Sequence, residues 1–145
     1  MINNLADYFL DEYEYYLKEI VYSKIDADSE KTECNLNCID NINVVVEEGK
    51  KVCVTVTRTL QFEPENIFYL KVSFGAILMF DPQKVGEYDW HNINMAEEFK
   101  KNGQFVLNNL MSRISLQISQ ITSSFGQMPL ILPPAVAQES ADENV

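Results

Sequence analysis

The side chains that commonly perform catalysis or bind metals are few and scattered in this sequence. His91 is the only histidine, and no serine lies in a G-x-S-x-G turn that would make it the nucleophile of a Ser-His-Asp arrangement. Cys34 and Cys38 are spaced as metal ligands could be, but zinc takes about four ligands and no second pair supports a site. Gly49-Lys50 lacks the preceding glycine and the following Ser or Thr of a phosphate-binding loop. We therefore predict no catalytic residue, no metal site and no cofactor.

The charge of the chain argues against some classes of partner. Its 145 residues include 22 Asp plus Glu and 11 Lys plus Arg, a formal net charge of −11. Because this charge repels phosphate backbones and anionic lipid headgroups, we expect neither nucleic acid nor a membrane surface as a partner. No apolar run approaches the roughly 18 residues of a membrane span, and the N-terminal residues do not have the pattern of a secretory signal. The chain has three cysteines, an odd number, and we interpret them as free thiols in a reducing compartment. We therefore expect a cytoplasmic protein without membrane insertion.

The middle of the chain is predicted to form three consecutive antiparallel strands. A β-branched segment, 42–46, precedes segment 52–60, in which Val and Leu alternate with Cys and Thr. In segment 67–74, Phe, Leu and Val alternate with Ile, Tyr, Lys and Ser. Short turns at 47–50 and 63–66 connect the three segments. The period of two places the apolar residues on one buried face and the Thr-rich residues on the other.

Less regular segments surround these strands. Residues 17–26 are predicted to form a further strand. Residues 1–16, rich in acids and tyrosine, are predicted to form a short amphipathic helix or a loosely held arm. Residues 27–41 lack periodicity and are predicted to be a loop, and residues 81–94 an irregular crossover.

A long helix is predicted from about residue 95 to residue 123, and Gly103 is a point where it could break. Arg113 is its only charge beyond Gln104. A solvated helix face normally carries Lys and Glu, so an uncharged polar face indicates that another subunit covers it, although a plain surface helix is the alternative. The core-facing stripe is predicted to be Leu107, Leu110, Met111, Ile114, Ile118 and Ile121. The predicted oligomer interface is Asn108, Asn109, Ser112, Ser115, Gln117, Ser119 and Gln120.

Aromatic residues are numerous for a chain of this size. Seven tyrosines, eight phenylalanines and one tryptophan are more than one small core readily hides. A homo-oligomer interface would cover at least half of them. The remainder would line grooves for apolar segments of a partner.

The order of these elements resembles that of the SecB export chaperones. Residues 51–80 resemble the central strands of that family, with an acidic turn and a glycine-containing exit, and residues 110–134 resemble its long helix and proline-bounded apolar end. Residues 21–24 resemble its first strand. The resemblance implies an α+β subunit in which a four-stranded antiparallel sheet packs against one long C-terminal helix. It implies a single SecB-like domain at 1–134, and we expect an acidic, disordered tail at 135–145.

The same resemblance implies a function. Family members hold unfolded polypeptides, their clients, without ATP, assemble as dimers of dimers and deliver preproteins to the translocation motor SecA. We therefore expect a non-enzymatic, homotetrameric holdase with apolar client grooves that serves protein export. The groove positions predicted here, each of which also fits a core, are Phe68, Leu70, Phe74, Leu78, Phe80, Leu107 and Met111.

Two alternatives stay open. The first is a dedicated oligomeric adaptor that supports an antitoxin without general chaperone activity. The second is an enzyme or small-ligand binder with a site near Trp90 and His91.

The motor-docking surface of the family uses acids on the outer face of the sheet. Asp26 matches one such position, but Lys71 stands where another acid is expected, and the family's second helix is expected to be absent or reduced to a turn after Pro134.

Overall fold

A computed structural model describes residues 2–26, 33–126 and 128–136 of the protein. They form one antiparallel sheet with helices packed on one of its faces. The sheet order is β1-β4-β3-β2, so β1 and β2 lie at its edges. Short 3-10 turns precede β1 and lie between β4 and the helices. The strands and helices are β1 (Phe9–Ile25), β2 (Asn35–Glu47), β3 (Lys51–Glu63), β4 (Ile67–Phe80), α1 (Met95–Asn102) and α2 (Gln104–Ser123).

The predicted three-stranded meander is confirmed. Strands β2, β3 and β4 are neighbours in the sheet, and Val54 lies between Val44 of β2 and Ala76 of β4. On the opposite face, the Thr57 and Ser73 hydroxyls are 2.7 Å apart and hydrogen bonded. The β2–β3 turn places Gly49 at a φ of 63°, which glycine adopts without steric cost. Alternation of residue types therefore determined which face is buried.

Two predicted boundaries are wrong because strands extend further than their apolar centres. Residues 9–16 belong to β1, not to a helix or an arm, and they pair with β4. Their aromatic residues have a period of two as well as an approximate helical spacing, and the long β4 partner selects the strand. Residues 35–41 belong to β2, not to a loop. Their alternation is obscured because a charged residue, Asp40, occupies an inward position.

The helical prediction is confirmed, including the break at Gly103. The side chain of Asn94 accepts a hydrogen bond from the Glu97 backbone N–H at 3.2 Å and thereby caps α1. Along α2 the predicted stripe faces the sheet, and Leu110, Met111 and Ile114 are fully buried. Helix α2 packs mainly on β4 and β3, so the core lies between this helix and the centre of the sheet.

The described chain continues past α2 as an extended segment. We call residues 128–136 the C-terminal strap. Ala135 and Val136 contact the body of the protein, two residues beyond the predicted domain end at 134. Residues 27–32 of the predicted loop and 137–145 of the predicted tail lie outside the described residues. In the described ranges, no helix is both long enough and apolar enough to cross a membrane.

Candidate functional site

An open, mainly apolar cleft lies at one end of the sheet, where β1 ends, β4 begins and α2 meets the C-terminal strap. Its volume is about 350 Å³. Strand, helix and strap each supply part of its lining, so it exists only because these segments converge. The lining residues are Tyr22, Lys24, Phe62, Ile67, Phe68, Thr122, Phe125, Met128 and Leu130.

Aromatic rings form the centre of this cleft. The ring centroid of Phe68 lies 5.3 Å from that of Phe62 and 5.5 Å from that of Phe125. The rings of Tyr22 and Phe125 are 5.3 Å apart. Phe68 is only 6% exposed, whereas Tyr22 is 44% and Phe125 38% exposed. Phe68 is therefore the floor of the cleft, and Tyr22 and Phe125 are walls that leave apolar ring surface available to a ligand.

The C-terminal strap forms the remaining wall. Met128, at 88% exposure, presents almost its whole side chain to solvent, while Leu130 is half-buried and packs against the core. The backbone N–H of Leu130 donates a hydrogen bond to the Thr122 hydroxyl at 2.8 Å. This bond joins the strap to the last turn of α2 at the cleft itself.

A second apolar pocket lies at the opposite end of the sheet. It has a volume of about 360 Å³ and borders the start of β1, the β2–β3 turn and the end of β4. Leu10 is 44% and Met79 41% exposed, so the pocket also offers apolar surface. Its lining residues are Leu10, Gly49, Lys50, Met79, Phe80, Pro82 and Val85.

The seven groove residues predicted from sequence separate into two groups. Phe68 lines the cleft and Phe80 the second pocket. The prediction is wrong for the other five, which line neither pocket and fill the core between the sheet and α2. Period-two and helical spacing identify inward positions but do not distinguish a core from a groove. The five core residues are Leu70, Phe74, Leu78, Leu107 and Met111.

The polar face of α2 is only partly open. Ser115 donates a hydrogen bond to the Leu132 carbonyl at 2.7 Å, so the strap of the same chain covers this position. The guanidinium of Arg113 lies 4.3 Å from the centre of the Tyr15 ring and also bonds Asn109. Of the predicted interface residues, Asn108, Asn109, Ser112 and Gln120 are exposed, whereas Ser115, Gln117 and Ser119 are half-buried. Their role in an oligomer stays a prediction.

A buried ion pair is the feature of the site that the sequence reasoning missed. Arg58 on β3 and Asp40 on β2 face each other across the strands, and both are only 2% exposed. Burial lowers the pKa of Arg58, but the hydrogen bonds and charge of Asp40 outweigh it, so the pKa is raised and the guanidinium stays charged. The sequence does contain a signal for this ion pair, which is the single Arg among the alternating apolar residues of β3.

Of the groups considered for chemistry or motor docking, Cys38, His91 and Lys71 do not line the cleft, whereas Asp26 pairs with Lys24 at its edge. Burial raises the pKa of the Cys38 thiol, which makes it a weak nucleophile. His91 is exposed beside a separate pocket of about 280 Å³ near Trp90. Among the described residues, no three His, Cys, Asp or Glu side chains cluster as metal ligands. Asp26 is exposed and lies 3.5 Å from Lys24, and Lys71 lies 3.4 Å from Glu19.

Comparison with known proteins identifies the fold. No protein-family model matches the chain, and no curated protein matches its sequence. Its structure is similar to that of the Mycobacterium tuberculosis SecB-like chaperone Rv1957 in complex with a ChAD peptide from the Rv1956 HigA1 antitoxin. The TM-score is 0.64 at 14% sequence identity, and the alignment covers 89% of this chain and 92% of that one. The chain therefore has the SecB-like α+β fold that its sequence resemblance predicted.

Proposed function

We propose that this protein is a non-enzymatic, ATP-independent holdase that binds unfolded polypeptide segments in the apolar cleft. The observation that carries the proposal is the exposure of Tyr22, Phe125 and Met128 around a recess that already has a well-packed floor. Apolar surface concentrated in a recess is characteristic of sites that bind apolar ligands. A folded protein hides such segments in its core, so the cleft would discriminate against it without any chemical step.

The second pocket supports a long client. Phe68 and Phe80 lie at opposite ends of β4, twelve residues apart. At roughly 3.3 Å per residue, this separation is about 40 Å. A client segment that is extended over this distance would reach both recesses, and its second contact would be intramolecular. Each contact would be weak alone, because ordering a flexible chain offsets much of the gain from apolar burial.

Self-association is part of the proposal. Strand β1 lies at an edge of the sheet and, within the described ranges, pairs with β4 alone. It is 17 residues long and carries Leu17 at 49% and Ile20 at 39% exposure. A long edge strand with exposed apolar side chains favours pairing with another chain. We infer a homo-oligomer, a dimer of dimers as in the SecB family, acting in the cytoplasm.

Protein export is the process that the family resemblance favours. In that case the oligomer would deliver preproteins to SecA, with Asp26 on the docking surface. Lys71, which stands where the family has an acid, pairs with Glu19 and reduces the acidity of this region. The surface would therefore attract a basic motor segment less strongly than a fully acidic one.

A dedicated adaptor is the second candidate, and one observation favours it. The M. tuberculosis SecB-like chaperone is in complex with a peptide from an antitoxin. If the present protein serves one such partner, the same cleft would bind one segment of that partner at fixed stoichiometry. It would not protect unrelated unfolded proteins.

The test is light scattering from a chemically denatured, reduced model protein diluted into buffer with and without this protein. A holdase suppresses aggregation at a near-stoichiometric ratio of oligomer to substrate and without ATP. Multi-angle scattering of the protein alone gives the mass of its oligomer. A well-folded oligomer that leaves aggregation unchanged would contradict the holdase proposal and favour the adaptor.

A further inference from the structure

The C-terminal strap is held in place mainly by side chains of other elements. Residues 128–136 form neither helix nor strand. Thr122 accepts the backbone N–H of Leu130 at 2.8 Å, and the Ser115 hydroxyl donates to the carbonyl of Leu132 at 2.7 Å. These two bonds join the first half of the strap to α2. The course of the second half depends on a different element.

Arg58 of β3 holds that second half. Its Nη1 donates to the Pro133 carbonyl at 3.0 Å, and its Nη2 donates to the Ala135 carbonyl at 2.9 Å. The same guanidinium donates from Nε and Nη2 to the two carboxylate oxygens of Asp40, each at 2.8 Å. Asp40 thus fixes the plane of the guanidinium, and the fixed guanidinium binds the strap.

This arrangement is more than a strand-to-strand ion pair. Well-packed apolar residues can often replace a buried ion pair without loss of stability, so stability alone does not explain an arginine at this position. Only a planar group with several donors can bind one carboxylate and two separate carbonyls together, and the single ammonium of lysine cannot reproduce that geometry. The two bonds to Pro133 and Ala135 therefore identify the strap as the segment that depends on this particular side chain.

The strap in turn shapes the cleft. Met128 and Leu130 line the recess, and they lie a few residues before the carbonyls that Arg58 binds. We infer that Arg58 is a positioning residue of the client cleft: by holding the strap against β3, it sets the wall formed by Met128 and Leu130. This inference rests on the proposed function. Release of the strap would remove one wall and leave a shallower, more solvated recess.

Two variants separate this role from a general effect on folding. Arg58→Lys retains the charge opposite Asp40 but cannot make all four hydrogen bonds. The double variant Asp40→Leu with Arg58→Met removes both charges and keeps the volume apolar. The matched control is Thr57→Val, which removes a hydrogen bond on the other face of the same strand, away from the strap. Circular dichroism and the fluorescence of Trp90, the only tryptophan, report whether each variant is folded.

Hydrogen–deuterium exchange of the Leu130 amide reports the position of the strap, with β4 amides as the internal reference. We expect exchange at Leu130 to be at least about tenfold faster in both Arg58 variants and unchanged in the control. Binding of reduced, carboxymethylated α-lactalbumin, a permanently unfolded protein, should weaken roughly tenfold, mainly through faster dissociation.

The outcomes are distinguishable. Folded Arg58 variants with wild-type exchange at Leu130, or with faster exchange but wild-type affinity for α-lactalbumin, would overturn the inference. If the wild-type protein does not bind α-lactalbumin, the proposed function fails instead. The exchange at Leu130 would then still decide whether Arg58 positions the strap.

Discussion

Replacing Phe125 by alanine removes an exposed wall of the cleft and leaves its floor, Phe68, in place. A phenylalanine side chain offers about 200 Å² of surface, and Phe125 is 38% exposed, so about 75 Å² is available to a client. At about 25 cal/mol per Å², covering that surface contributes about 2 kcal/mol, which corresponds to about 30-fold in affinity. The part of the ring that is already buried, about 125 Å², should cost the folded protein about 3 kcal/mol when it is lost.

The assay is isothermal titration of carboxymethylated α-lactalbumin into the wild-type protein and the variant, with urea unfolding measured in parallel. Ile39→Ala is the matched control, because Ile39 is 51% exposed on the outer face of β2, away from both pockets. Phe68→Ala provides the contrast. Since Phe68 is 6% exposed, its loss should reduce stability by about 3–5 kcal/mol and remove little surface that a client contacts directly. A folded Phe125→Ala protein that binds within about twofold of wild type would refute this account of the cleft.

Three further predictions concern the ion pair, a tyrosine and the client. Asp40→Ala leaves the Arg58 charge buried without its carboxylate and should lower the free energy of unfolding by about 3–5 kcal/mol in urea titrations; a loss below about 1 kcal/mol would contradict it. A hydrogen bond to Glu87, with burial, raises the pKa of Tyr8 to about 12. Because the folded pKa exceeds the unfolded value of about 10, the Tyr8 contribution to stability is complete below pH 10 and is lost as the pH rises through 12. Ultraviolet titration of the tyrosines should show a component near pH 12 that Tyr8→Phe removes. Finally, an unfolded peptide of about 14 residues with apolar ends should bind at least about tenfold more tightly than either half, and equal affinities would exclude simultaneous use of both pockets.

Local residue patterns were sufficient to predict the strands and helices whose two faces differ in polarity. Val52, Val54 and Val56 alternate with a cysteine and threonines, and this contrast predicted β3 and its buried face. The helical spacing of Leu110 and Ile114 likewise predicted α2, and Gly103 marked the break in the long predicted helix. Residues 9–16 and 35–41 were assigned wrongly because their alternation mixes acids, asparagine and tyrosine. There the strand pairing with β4 and β3 decides the structure.

The sequence by itself determined the three consecutive strands and the C-terminal helix of an α+β protein, since these depend on residue spacing within short segments, and its resemblance to the SecB family predicted how the sheet and the helix are arranged. Only the tertiary structure decided which apolar residues form a recess. Leu70 and Phe68 have the same alternation on β4, yet one is in the core and the other lines the cleft, because α2 ends beside Phe68. The contact of Arg58 with Pro133 joins residues 75 positions apart. No local period encodes such a contact, since it depends on where the chain returns after folding.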